Sequence, residues 1–372
     1  MPFRLFAAAW SYELASWFAF LSVVSWLEAR GGAGLSGAYF VLYNGVQLPA
    51  AAFLGPWLDR LERGWGLRLA LFVPVLPLFA VLAVTGLWSG LVLGAAFALS
   101  DYLLYTLVPA AVPLVVPAER VSRANAFWQA GSGVIFVAAP AASGWVFDRF
   151  GALSGVAIAG AFLLLALFFA FGLYLGRPEG HRRRGGWREA VAEPLVVWTA
   201  ASVFLLAAGG GLVNAALPVL TGGGRDYGLL LSALGAGSLL ATLVLTRRRV
   251  ARPLRLALFG ALAHVPGDLA LALGAGLALY LPAGFVKGVA NAAYHLGLDT
   301  ALQLGLPGGI LARAFSLGWA VGNLGQVLGA GAFGLLAPEV GARSLLFVSA
   351  LFALLGTWPL VRAGAATRRP RG

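Results

Sequence analysis

Apolar residues run along this chain in long unbroken stretches, and the polar ones gather in short clusters between them. Stretches bounded by charge or by Gly and Pro cover residues 5–27, 36–57, 67–87, 90–112, 124–146 and 152–176. Six more cover 194–217, 228–246, 254–274, 276–301, 314–336 and 343–361. A helix needs roughly 20 apolar residues to cross the hydrocarbon layer, so the pattern predicts about twelve spanning helices, spans 1–12. Only Gly274, Ala275 and Gly276 mark the division between spans 9 and 10.

Composition agrees with that class. The chain is 60% hydrophobic and 11% charged, outside the range of soluble domains. With the N-terminus cytoplasmic, the cytoplasmic turns and tails carry 21 Lys and Arg residues, and the outer loops carry four: Arg30, Arg149, Arg225 and Arg343. That bias is the positive-inside signature. It predicts a multi-pass protein of the inner (cytoplasmic) membrane with both termini cytoplasmic. The net charge of +12 then reflects topology and contact with anionic lipid rather than nucleic acid. No cleavable signal peptide is expected, because the first apolar run is long enough to span. The chain has no cysteine, and its three histidines are scattered, so no metal or other cofactor is expected.

The longest polar stretch, 177–193, falls near the middle. It is basic and contains glycine, as a linker should. It divides the chain into an N-terminal six-helix bundle, 1–176, and a C-terminal one, 194–372. A shift of 190 residues aligns Pro117 with Pro307, Arg123 with Arg313, Ala124 with Ala314, Gly144 with Gly334 and Gly151 with Gly341. Each pair shares a topological position, which points to duplication. Two parallel six-helix halves occur among secondary transporters.

Between spans 2 and 3, a glycine is followed four residues later by Asp-Arg and then by further bases. Gly55, Asp59, Arg60 and Arg63 resemble the loop signature of the major facilitator superfamily. Glu62 stands where that family usually has glycine, and Gly64 where it usually has a base. In span 5, the run from Ala139 through Pro140 to Gly144 resembles a degraded Gly-Pro-x-x-Gly-Gly, typical of antiporters in the superfamily. Arg123-Ala124-Asn125-Ala126 resembles the multidrug and siderophore exporter branch. The resemblance implies an all-α membrane fold of two six-helix bundles, with spans 1, 4, 7 and 10 lining a central cavity. It also implies a gate latch in which Asp59 faces the helix starting near Arg313. On their own, these charges also fit an ordinary cytoplasmic loop.

Ionisable side chains at mid-bilayer cost several kcal/mol unless they face a cavity or a partner. Glu13 lies in span 1, Asp101 in span 4 and Lys287 in span 10, while His264 and Asp268 share a face of span 9. Span 10 repeats polar residues every fourth position at Lys287, Asn291, His295, Asp299 and Gln303. Lys287 and Asp299 are about 18 Å apart along the axis and cannot pair, so Asp101 is the expected partner of Lys287. Glu13, Asp101, Asn214 and Lys287 fall one on each of spans 1, 4, 7 and 10. Glu13 and Asp101 are the expected proton-coupling residues. Lys287, Asn291, His295, Asn214, Asn44, Gln47 and Gln129 are the expected polar cavity. A static brace between Asp101 and Lys287, with Glu13 bonded to Ser11 or Ser16, is the structural alternative.

The expected function is proton-coupled efflux antiport of small amphipathic or cationic compounds by a monomer in the bilayer, through alternating access. An importer or facilitator of the same fold is the first competitor. A membrane enzyme or non-transporting scaffold is the second. No P-loop is present, which argues against ATP-driven pumping by this chain.

Overall fold

The computed structural model describes residues 2–54, 62–84, 86–117, 121–175, 188–245, 251–274, 276–306 and 308–366, and the described elements are all helices. They are α1 (Pro2–Gly45), α2 (Gln47–Phe53), α3 (Arg63–Phe72), α4 (Val75–Ala83), α5 (Leu87–Val115), α6 (Val121–Phe150), α7 (Ala152–Ala170), α8 (Arg188–Val191), α9 (Pro194–Thr221), α10 (Gly224–Leu245), α11 (Pro253–Leu273), α12 (Leu277–Gly305), α13 (Gly308–Val340) and α14 (Ala342–Ala366). Gly55, Asp59 and Arg60 of the expected latch lie outside the described residues.

Among the described residues, ten stretches are long and apolar enough to cross a membrane. One of them, Phe3–Ala50, is 48 residues long, about twice what a single crossing needs. Gly32 interrupts it with φ 53° and ψ −139°, a conformation open mainly to glycine. Ser16 and Tyr43, on opposite sides of Gly32, both bond Asp101. On a straight helix they would be about 40 Å apart, so the chain folds back at Gly32 and α1 crosses twice. α12 is not among the ten, although its 29 residues suffice in length, because it carries the polar series from Lys287 to Gln303. The weakly marked division at 274–276 is real: α11 ends with Gly274 as its cap, and Gly276, at φ 88°, begins α12.

Many large apolar side chains point outward, among them Leu76, Trp88, Phe168, Phe171 and Leu335. Water would make such a surface an aggregation liability. Against lipid tails it is the ordinary exterior of a multi-pass membrane protein.

The chain forms two compact units. The first comprises Met1–Gly32, Leu42–His181 and Gly222–Ser232; the second comprises Ala33–Val41, Arg182–Thr221 and Ala233–Gly372. In the second unit, Gly37 is so close to Gly334 that a Cβ on Gly37 would sit 2.6 Å from the Gly334 Cα. Small residues allow this kind of helix approach in a membrane. The short helix α8 docks in the same unit, with Ala190 fully buried beside Leu195, Val196 and Ala257.

Candidate functional site

The first unit buries two carboxylates within its long apolar helices. Glu13 stands on the first half of α1 and Asp101 near the middle of α5, with 8% and 9% of their surfaces exposed. Glu13 is reached from α6: the Ser132 hydroxyl donates to its Oε1 at 2.7 Å. The preceding residue explains the close approach. A Cβ on Gly131 would lie 2.3 Å from the Trp10 ring, so glycine lets the indole fill that space while Ser132 turns to the acid. The Trp10 indole N–H donates to the Trp128 carbonyl at 3.2 Å, closing the contact between α1 and α6.

Asp101 is held by other hydroxyls. Ser16, one turn beyond Glu13, donates to its two oxygens at 3.2 and 3.4 Å. The Tyr43 hydroxyl bonds Oδ2. Next to Asp101, Ser100 donates to the Ala70 carbonyl at 2.7 Å, which fixes this level of α5 against α3. Among the described residues, neither carboxylate has a Lys or Arg within salt-bridge distance. Aromatic residues lie beside both acids, Tyr105 and Trp128 near Glu13 and Tyr43 on Asp101. Trp17 stacks on Phe136 at 5.1 Å, Phe20 meets Tyr43 edge-on at 5.7 Å, and Tyr105 approaches Trp128 at 6.4 Å. Rings exclude water, which sharpens the energetic difference between a charged and a neutral carboxyl.

Pro140 and Gly144 form a tight seam with α10 in the same unit. Pro140 has no N–H and disturbs the helix around it. The Ala141 N–H is picked up by the Ser232 hydroxyl at 3.0 Å. A Cβ on Gly228 would stand 2.2 Å from the Pro140 carbonyl, and one on Gly144 2.5 Å from the Gly224 carbonyl.

The second unit corrects one expectation. Lys287 pairs with Asp268, on the preceding helix α11, rather than with Asp101. Ser349 donates to the other Asp268 oxygen at 2.9 Å. The Lys287 stem crosses α11 at Gly267, where a Cβ would be 2.5 Å from the lysine Cγ. Asp268 is 1% exposed and Lys287 7%, so Lys287 faces α11 as part of a brace. The remaining span-10 residues wind away from it: Asn291 is half-buried, and His295 is exposed with its ring edge-on to Tyr294 at 5.3 Å. Asn214 donates to Gln326 at 3.0 Å.

Other expected residues take separate places. Asn44 is buried; Gln47 is buried and donates to the Tyr43 carbonyl at 3.2 Å. Gln129 is exposed. Arg63 is buried in the first turn of α3, and Arg313 pairs with Glu189 of α8.

Glu62 is a residue the sequence reading noted only as a departure from the family pattern. It caps α3, accepting from Gly64 N at 2.7 Å and Trp65 N at 2.8 Å, and it also accepts from Leu175 N at 2.7 Å. Arg68 donates to the Leu173 carbonyl at 2.9 Å, and Arg4 to the Phe171 carbonyl at 2.6 Å. Three side chains, Arg4 of α1 and Glu62 and Arg68 of α3 and its cap, thus clamp the chain just after α7. The cap signal (an acid two residues before Gly64) was present in the sequence, but its reach to Leu175 was not.

The described residues form a many-pass helical fold that buries carboxylates within its apolar helices. The family model of the Major Facilitator Superfamily matches residues 5–295; the chain belongs to that superfamily and has the fold of a secondary transporter. It is similar in structure to a bacterial homolog of the human lysosomal transporter Spinster, in an inward-facing and unoccupied conformation. The identity is 15% and the TM-score 0.74, over 100% of this chain and 98% of the other. It is similar to the nucleoside transporter NupG at 13% identity and TM-score 0.79, over 97% and 99% of the two chains. A peptide transporter, POT, in complex with sulfate matches at 14% and 0.75, over 98% and 94%. No curated protein matches the sequence significantly.

Proposed function

We propose that the protein is a proton-coupled antiporter that exports small amphipathic or cationic compounds by alternating access, with Glu13 and Asp101 as its proton-carrying residues. The observation that carries this reading is the pair of buried carboxylates held by hydroxyls, with no Lys or Arg beside them among the described residues. A buried acid without a cation is stabilised by taking up a proton or an organic cation, and loses that stabilisation when either leaves. The Lys287–Asp268 pair strengthens the argument. With Lys287 neutralised in its own unit, the balance expected at the sequence level, two acids against one lysine, becomes two acids unopposed. Aromatic rings beside the carboxylates suit an amphipathic cation, which they attract through their π-faces. The antiporter-like Pro140 and Gly144 support exchange rather than uniport. Gly55, Asp59, Arg60, Arg63 and Arg313 would control the cytoplasmic gate.

Reconstitution tests the reading. In proteoliposomes with an imposed pH gradient, the wild type accumulates a lipophilic cation such as tetraphenylphosphonium against its gradient. Glu13→Gln removes gradient-driven accumulation, and Asp101→Asn reduces it at least tenfold, the effect of about 1.4 kcal/mol on the coupled step. Unchanged accumulation in Glu13→Gln would refute the assignment.

A further inference from the structure

Asp101 is bonded from both crossings of α1. Ser16, on the first, divides its hydroxyl between the two oxygens at 3.2 and 3.4 Å, past the usual range for such bonds. Tyr43, on the second, donates to Oδ2 alone and is the directed partner. The Tyr12 hydroxyl lies near the acid too, but it donates to the Phe97 carbonyl at 2.9 Å. Tyr43 stands two residues before a weak point in its helix. α1 ends at Gly45 and α2 begins at Gln47. Val46 between them keeps helical angles and still donates to the Leu42 carbonyl at 3.0 Å. Pro49 has no N–H to give the Gly45 carbonyl, so the ladder is one bond short and the crossing can bend there. The Gln47 side chain spans this joint by donating to the Tyr43 carbonyl at 3.2 Å. α2 packs on α5, the helix that carries Asp101. Tyr43 thus touches the acid with its hydroxyl and the joint with its backbone.

We propose that Tyr43 is a positioning residue that passes the charge of Asp101 to the joint at 45–47, holding it while the carboxylate is ionised and releasing it when a proton arrives. The inference rests on the reading of Asp101 as a proton carrier. An ionised Oδ2 accepts the phenol hydrogen in a charge-assisted bond, roughly twice as strong as a neutral one. A proton added to that lone pair of Oδ2 points at the phenol oxygen instead. The acid then donates, and the Tyr43 O–H must turn to another acceptor. The strong tie between α5 and the last turn of α1 is lost, which frees α2, the segment leading on to Arg63. The other titratable groups facing Asp101 are Tyr12 and Glu13 of α1 and Tyr105 of α5. α2 and α4 carry none. α3 carries Arg63 in its first turn and Arg68, which turns to Leu173 and Glu62. α6 keeps its charges in its end turns.

The chain has no cysteine, so a labelled pair can be introduced without removing any. Leu48→Cys on α2 and Leu114→Cys on α5 carry spin labels in the full chain in lipid nanodiscs. A pH-indicating dye counts the protons taken up as the buffer goes from mildly alkaline to acid. The labelled parent should shift its label-to-label distance on acidification. Tyr43→Phe keeps the ring and removes the hydroxyl; it should take up as many protons as the parent but show the acid distance in both buffers. Asp101→Asn should also show the acid distance in both, and take up one proton per chain fewer. A parent that does not shift, or a Tyr43→Phe that shifts as the parent does, overturns the role of Tyr43 while leaving the proton on Asp101. Equal uptake by Asp101→Asn and the parent overturns both. If Tyr43→Phe fails to fold, Pro49→Ala decides. Its N–H completes the ladder at Gly45, so proton uptake should be unchanged and the distance shift lost; a full shift in Pro49→Ala refutes the proposal.

Discussion

Asp268 and Glu62 share a property: each side chain satisfies partners from more than one segment of the chain, so its loss leaves several groups stranded. Removing one member of a buried ion pair costs about 3–5 kcal/mol, because the other charge stays buried and unmatched. Lys287→Met should therefore unfold at markedly lower temperature in detergent. The double variant Lys287→Met with Asp268→Leu should recover most of the loss, since similar-sized apolar residues repack without charge. If the double variant is no more stable than the single one, the pair is not what holds α11 to α12. Glu62→Ala removes an N-cap, by itself worth about 1 kcal/mol, together with the bond to Leu175. It should lower the unfolding temperature more than Arg68→Ala, measured in the same detergent. The candidate acids were legible in the sequence because a charge in an apolar run is conspicuous. Their partners were not. Lys287 was matched to Asp101 by comparing levels between halves, whereas Asp268 lies 6 residues before Gly274 and Lys287 11 after Gly276. The five-residue offset, about 7.5 Å along the helices, is one a lysine side chain can bridge. Tyr43 carried no signal at all, because its bond to Asp101 exists only once α1 has folded back at Gly32.

At the scale of helices, hydrophobic runs foretold nearly every crossing, and what they missed was how closely the helices approach. The contact of α6 with α10 depends on Gly144, Gly224 and Gly228, and on a Ser232 hydroxyl that meets the backbone N–H beside Pro140. These were visible in the sequence as a degraded antiporter motif and an unremarked glycine pair. Gly228→Leu places a side chain where a Cβ alone would be 2.2 Å from the Pro140 carbonyl. Backbone atoms cannot yield as a flexible side chain can, so the helices must separate. We expect that variant to insert in the membrane but to lose transport. Gly210→Leu, where a Cβ would meet nothing within 4 Å, should leave transport near the wild-type rate. Equal transport by both variants would show that the α6–α10 seam is not part of the working cycle.

The two units of the molecule do not follow the order of the chain throughout. Ala33–Val41 belongs to the second unit and Gly222–Ser232 to the first. The 190-residue shift that aligns Pro117 with Pro307 carries 33–41 onto 223–231, inside the second of those segments. The proposed duplication would place both segments at the start of the second helix of a half. The repeat does not extend to chemistry. The first unit keeps two carboxylates held by hydroxyls, whereas the second neutralises its buried lysine with Asp268. On this account, one half carries the proton and the other is a charge-balanced frame. The most direct test reads proton movement driven by the cargo alone. Proteoliposomes loaded with tetraphenylphosphonium and a trapped pH dye are diluted into cation-free buffer at the same pH, with the membrane potential clamped. As the cation leaves, the wild type should acidify the lumen and Glu13→Gln should not. Cation efflux from the wild type with no change in lumenal pH would contradict proton-coupled antiport outright.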